Sequence, residues 1–127
     1  MKAFLVQNES LTQILATLYK SRLPGTVSKK ILYMVLEFEK AKDDFTKKKQ
    51  DLQNKYGEKN DKGELIVEEN KVVFTPENRL KFNKDFEALS ETNYNLGLLT
   101  QSDIEKIPDI TSAELKVLLD ASLISEK

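Results

Sequence analysis

Apolar residues recur every seven positions at Ile31, Phe38, Phe45 and Leu52, with Val35 and Tyr56 four residues after the first and last of them. This spacing lays one apolar stripe along a helix and predicts a rod of about eight turns from Val27 to Tyr56. The opposite face carries Asp43/Lys47, Asp44/Lys48 and Asp51/Lys55, each with the acid four residues before the base, the order that supports an exposed helix. Before the rod, Leu11, Ile14, Leu15 and Leu18 form the apolar face of a shorter helix ending near Arg22. Ser10 with Gln13 reads as its capping box, and Asn8 is the alternative cap. Pro24 pushes Leu23 out of helical space, Gly25 permits the turn, and Thr26 or Ser28 restarts the chain as the long helix.

After Gly57 the pattern changes. Residues 58–63 are a polar loop, followed by two short β-branched runs, 64–68 and 71–74, around the polar break Glu69-Asn70. These read as a small hairpin whose turn lacks glycine. Thr75-Pro76-Glu77 starts the next helix with a capping hydroxyl, a proline at the first helical position and an acid in the first turn. Phe82, Phe86 and Leu89 form its buried face until it frays at Thr92-Asn93. Residues 102–107 suggest a short helical turn before Pro108. The last helix opens on a Thr111/Glu114 capping box with an Ile110/Leu115 staple and runs through Leu118 and Leu119 towards Leu123.

The predicted fold is mainly α, a single domain over residues 1–127. A long central helix is packed by two shorter antiparallel helices, with a β-hairpin at the tip and a short C-terminal helix. The first helix folds back on the Ile31–Phe38 half of the rod and the helix after Pro76 on the Phe45–Tyr56 half. Lys42 and Lys49 fall on the apolar seam, where a long parallel homodimer would have to bury them or let them snorkel. This favours packing within one chain, as a monomer or a small homo-oligomer.

Composition narrows the chemistry. Charged residues make up 32% of the chain and apolar ones 39%, the balance of solvated helices. Twenty basic against 21 acidic residues leave a net charge of −1, so no global field holds nucleic acid or an anionic membrane. No stretch is long and apolar enough to span a bilayer, and the apolar start at Ala3–Val6 stops too early for a signal peptide. The chain has no cysteine and no histidine, which removes the thiol nucleophile, the usual neutral-pH base and the usual soft metal ligands. The four glycines stand singly, so there is no phosphate-cradling loop. The expectation is a non-enzyme with no catalytic residues, no cofactor and no metal.

Three motifs compete with plainer readings. Glu58-x-Asn60-x-Lys62-Gly63-x5-Glu69 carries the glycine and last glutamate of a calcium loop, but Lys62 stands where a ligand oxygen is needed, and a polar turn is favoured. Lys47-Lys48-Lys49 is surrounded by Asp43, Asp44 and Asp51 and reads as a solvated helix face. Lys20, Arg22, Lys29 and Lys30 form a better basic patch, with Lys20 and Arg22 placed to offset the dipole at the end of the first helix. The remaining candidates are apolar. Tyr33, Met34 and Leu36 are read as pointing away from the Ile31/Phe38 stripe, and Tyr94, Leu96, Leu98 and Leu99 lie in a loop, so these seven are the expected protein interface unless neighbouring helices cover them.

The order of features resembles a family of short proteins of unknown function encoded by tailed phages and prophages of Gram-positive bacteria. The resemblance is carried by Asn8 before the first helix, Leu23-Pro24 before the rod, and Tyr56-Gly57-Glu58-Lys59 at its end. It continues through Asp61-x-Gly63-Glu64 with the acidic hairpin, Phe82-Asn83-Lys84 with Leu89, and Ile110-Thr111 before the Leu-rich last helix. At 94–100 the chain departs from the family pattern, with leucines in place of alternating acidic and β-branched residues. The resemblance implies a phage origin and no assigned activity. Two functional expectations follow. One is a non-catalytic protein that binds a host or phage protein in the host cytoplasm, as an inhibitor of host defence would. The other is a virion or assembly component that packs through its long helix. A prefoldin-like chaperone has the same parts list, but the helix after Pro76 is too short for it.

Overall fold

The computed structural model describes residues 1–125 and contains the predicted rod as one unbroken helix, α2, over Gly25–Tyr56. Its 32 residues span about 48 Å at ~1.5 Å per residue. Val27, Ile31, Met34, Phe38, Ala41 and Phe45 are buried along one side. The helix starts earlier than expected. Neither Thr26 nor Ser28 caps it; the Pro24 carbonyl accepts from the Val27 and Ser28 amides, and the Ser28 hydroxyl donates to the Leu23 carbonyl at 3.1 Å. Proline just ahead of the first turn fits because its ring holds φ near the helical value.

The preceding helix α1, Glu9–Lys20, is capped by Asn8, whose Oδ1 accepts from the Leu11 amide at 2.9 Å, while Ser10 lies inside the helix. Its buried face is Leu11, Ile14, Leu15 and Leu18. Ahead of it, residues Ala3–Gln7 form a 3-10 turn that buries Ala3 and Val6 completely. The short apolar start of the chain is therefore part of the core.

Helix α3, Pro76–Ser90, is capped by the Thr75 hydroxyl and packs on the far half of α2. Contact is made through rings: Phe45 meets Phe86 at 5.8 Å, Phe86 stacks on Phe82 at 5.7 Å, and Phe82 meets Phe74 at 4.8 Å. The Tyr56 hydroxyl donates to Asp85 at 2.6 Å. Phe82, Phe86 and Leu89 are half-buried rather than enclosed, although α3 packs on both α2 and the 3-10 turn. Lys49, expected to be awkward on the seam, lays its ammonium 5.5 Å from the Phe86 ring centre, so stem and charge are both accommodated.

Between α2 and α3 the hairpin forms at the tip, with β1 (Val67–Glu68) antiparallel to β2 (Lys71–Val72). Its turn residues Glu69 and Asn70 have φ of 50° and 64°, the left-handed pair that a two-residue turn demands, here without glycine. The backbone of Glu58 bonds to Val73 and Ile66, closing the tip against the end of α2. Gly57 is tightly enclosed there: a Cβ would lie 2.6 Å from the Gln53 carbonyl oxygen and 2.7 Å from Val72 Cγ1.

Past α3 the chain runs as an extended strap to α4 (Gln101–Glu105) and then α5 (Ser112–Asp120). Both short helices open on full capping boxes, Thr100/Asp103 and Thr111/Glu114. Helix α5 packs on α1, and Leu99, Ile107, Leu118, Ala121 and Leu123 join one continuous core with α1 and α2. The expected domain limit at Lys127 lies outside the described residues.

Candidate protein interface

Two elements flank the N-terminal half of α2 and leave a ridge between them. On one flank is α1. On the other is the strap, tied down where the Tyr94 hydroxyl donates to Asp44 at 2.6 Å and the Gly97 amide donates to Glu37 at 2.7 Å. The exposed ridge carries Leu32, Tyr33 and Leu36 at 40%, 53% and 49% of full exposure, with Tyr19 of α1 at 57% beside it. Between α1 and the ridge runs an apolar groove of about 320 Å³, with Leu15, Ala16, Tyr19, Leu32 and Leu36 in its walls and Lys42 at the margin. Monomeric proteins seldom leave several large apolar side chains together on one face, so this is the strongest candidate interface.

The seven expected interface residues separate under this geometry. Tyr33 and Leu36 are on the ridge, and Leu98 is exposed on the strap one residue after the Gly97 anchor. Met34 corrects the sequence reading: it is 1% exposed, because it lies three residues after Ile31 and four before Phe38, on the buried face itself. Leu99 is a second correction. Its backbone pairs with Leu123 and Ser125 and its side chain is fully enclosed. Tyr94 and Leu96 are half-buried and pack on the core, so they hold the strap in place. Burial and the Asp44 hydrogen bond push the Tyr94 phenol up from its ordinary 10.0 to about 12. Sequence reasoning missed Tyr19 and Leu32. Leu32 was detectable as the residue four before Leu36, and Tyr19 as the end of the Leu15–Tyr19 row on α1.

Charge plays a supporting part. Lys30 leaves the presumed basic patch and binds Asp103 at 2.7 Å; Asp103 also accepts from the Thr100 amide at 2.8 Å. Burial opposes ionisation of Asp103, but the Lys30 ammonium and the Thr100 donors outweigh it and hold the carboxyl below its usual range. This pair fastens α4 to α2. Lys29 lies 6.0 Å from the Tyr33 ring centre, and Lys20 sits in the last turn of α1, where a cation offsets the helix dipole. In the loop that carries the degenerate calcium pattern, Asn60 Oδ1 accepts from the Lys62 and Glu64 amides, making a polar turn. Among the described residues, no group of three or more acidic side chains is placed to hold a metal ion, and no helix is long and apolar enough to cross a membrane. Comparison of the chain with family models, with curated proteins and with solved structures gives no match in any of the three.

Proposed function

We propose that this is a non-catalytic, phage-encoded protein that works by binding another protein through the α1/α2 ridge, in the host cytoplasm or on the virion. The reading rests on one observation: Tyr19, Leu32, Tyr33 and Leu36 form a contiguous apolar face that the chain's own elements flank without covering. A ridge beside a groove accepts an amphipathic helix, whose apolar residues fill the groove while Lys42 and Glu39 at its margin meet polar groups. The phage origin is supported by the order of sequence features, and an inhibitor of host defence is the form of host-directed binding that such an origin favours. Assembly through the long helix is favoured by a separate fact, that three of the four exposed apolar residues belong to α2.

The test is site-specific photocrosslinking in producing cells. A photoreactive residue at Leu36 is expected to give a discrete covalent adduct with another polypeptide, whereas the same group at Leu80, exposed on α3, gives none. Equal adducts at both positions, or none at Leu36, refute the reading.

A further inference from the structure

We propose that residues 95–98 of the strap form a hinged flap over α2, fixed at both ends and latched in the middle by Glu37. This device does not depend on what binds the ridge. Its fixed ends are visible in the backbone. At one end the Tyr94 amide donates to the Met1 carbonyl at 2.8 Å, and the Tyr94 hydroxyl holds Asp44. At the other, the Leu99 amide donates to the Leu123 carbonyl at 2.9 Å, and the Leu99 carbonyl accepts from Ser125 at 2.8 Å. The Leu99 side chain is fully enclosed, which fixes that end further. Between these points the amides of Asn95, Leu96 and Leu98 have no hydrogen-bond partner among the described residues. The Gly97 amide has one, and it is a side chain: the Glu37 carboxylate, which accepts at 2.7 Å.

Packing does little to replace the missing bonds. Asn95, Gly97 and Leu98 are exposed, and half-buried Leu96 gives the flap its apolar contact with the core. A groove of about 380 Å³ lies between strap and helix, walled by Lys40, Ala41 and Asp44 of α2 and by Tyr94, Asn95 and Leu96 of the strap. Open space on the inner side means that this stretch forgoes the dispersion contacts a close-lying segment would gain. Backbone that is exposed and carries few enclosed side chains opens locally at far less cost than the rest of a fold. The latch therefore decides whether the flap lies down. When it lifts, the Glu37 carboxylate is freed at the mouth of the groove, which Lys40 also lines, and the Ala41 wall is uncovered. The closed and open states thus offer different surfaces on this flank of α2.

Amide hydrogen exchange and NMR relaxation on the full chain at neutral pH test this. Glu37→Ala should speed exchange of the Gly97 amide about tenfold, the low end for a bond to a charged acceptor, since both partners are exposed. It should also lower the backbone order parameters of residues 95–98 while leaving those of Tyr94 and Leu99 unchanged. Relaxation is the deciding readout, because exchange alone would register the lost acceptor without any opening. Glu37→Gln, which keeps a neutral acceptor, should fall between the two. Gly97→Ala should act in the opposite direction. Gly97 has a negative φ, and a Cβ there would meet Glu37 Oε2 at 3.9 Å, so the methyl fits and stiffens only the open flap. Opening should then fall about two- to fivefold. Glu37 is exposed, and far-ultraviolet circular dichroism verifies that each variant keeps its helicity. Order parameters that stay near ~0.85 across 95–98 in Glu37→Ala overturn the latch. An equal loss of order at Tyr94 and Leu99 overturns the hinges.

Discussion

Replacing Phe45 by alanine is the sharpest probe of how this fold is held together. Phe45 is completely enclosed and sits where α2 turns its buried face from α1 and the 3-10 turn towards α3. Its ring meets Phe86 at 5.8 Å, and Phe86 continues through Phe82 to Phe74, just ahead of the Thr75 cap of α3. Truncation removes the buried ring and leaves a void that two straight helices cannot close. Losses at such positions are about 3–5 kcal/mol, at least about a fifth of the ~5–15 kcal/mol by which domains are stable. For a chain this size each kcal/mol lowers the midpoint by about 4 °C, so thermal unfolding should move down by about 12–20 °C. Urea titration followed by circular dichroism measures the free-energy loss and a thermal melt the shift in midpoint, with Leu80→Ala on the exposed side of α3 as a control expected to change little. Phe45→Asp goes further, since an unpaired buried carboxylate should prevent folding. A Phe45→Ala loss below about 1 kcal/mol, or a Phe45→Asp protein with full helicity, would refute the claim that α2 and α3 share one internal seam.

Two other perturbations test separate parts of the architecture. Gly57→Ala forces a methyl to within 2.6 Å of the Gln53 carbonyl, backbone that cannot step aside, and should cost about 1–3 kcal/mol in urea denaturation; an unchanged midpoint would mean that the tip packs loosely. Asp103 has its carboxyl held below the usual value of 3.8, so its contribution is present in full above that pH and is lost as pH falls through the folded value. Stability followed from neutral pH into the acid range should therefore fall more steeply for the native protein than for Asp103→Asn, and parallel curves would remove the Lys30–Asp103 clasp from the account.

The sequence was readable where structure is decided within a turn or two of helix. The rod, the Thr75 and Thr111 caps and the division of α2 between two partners follow from spacing and from side chains that bond to backbone three residues away, whereas the Ser10/Gln13 capping box gave way to its alternative, Asn8. Met34 was misplaced although its spacing from Ile31 and Phe38 puts it on their stripe, because the helix is apolar nearly all round at 31–36 and the extra apolar positions there masked the stripe. The strap was invisible for a different reason. Tyr94 finds Asp44 and Gly97 finds Glu37 over separations of 50 and 60 residues, which no local pattern encodes. Of the ridge, Tyr33 and Leu36 were legible as surplus apolar residues on a helix with its stripe already filled. Tyr19 became part of it only once α1 was laid beside α2.

The backbone pairing of Ala3 with Thr92 and of Tyr94 with Met1 has a consequence for how the molecule comes into being. These bonds join segments about ninety residues apart in sequence, so the enclosure of Ala3 and Val6 beside them depends on a contact that no local element supplies. Helical proteins of this size usually assemble from near neighbours and do so quickly. This one adds backbone bonds between residues 1–3 and 92–94, contacts of long sequence separation, and its refolding is therefore expected to be slower than that of a bundle built from neighbours alone.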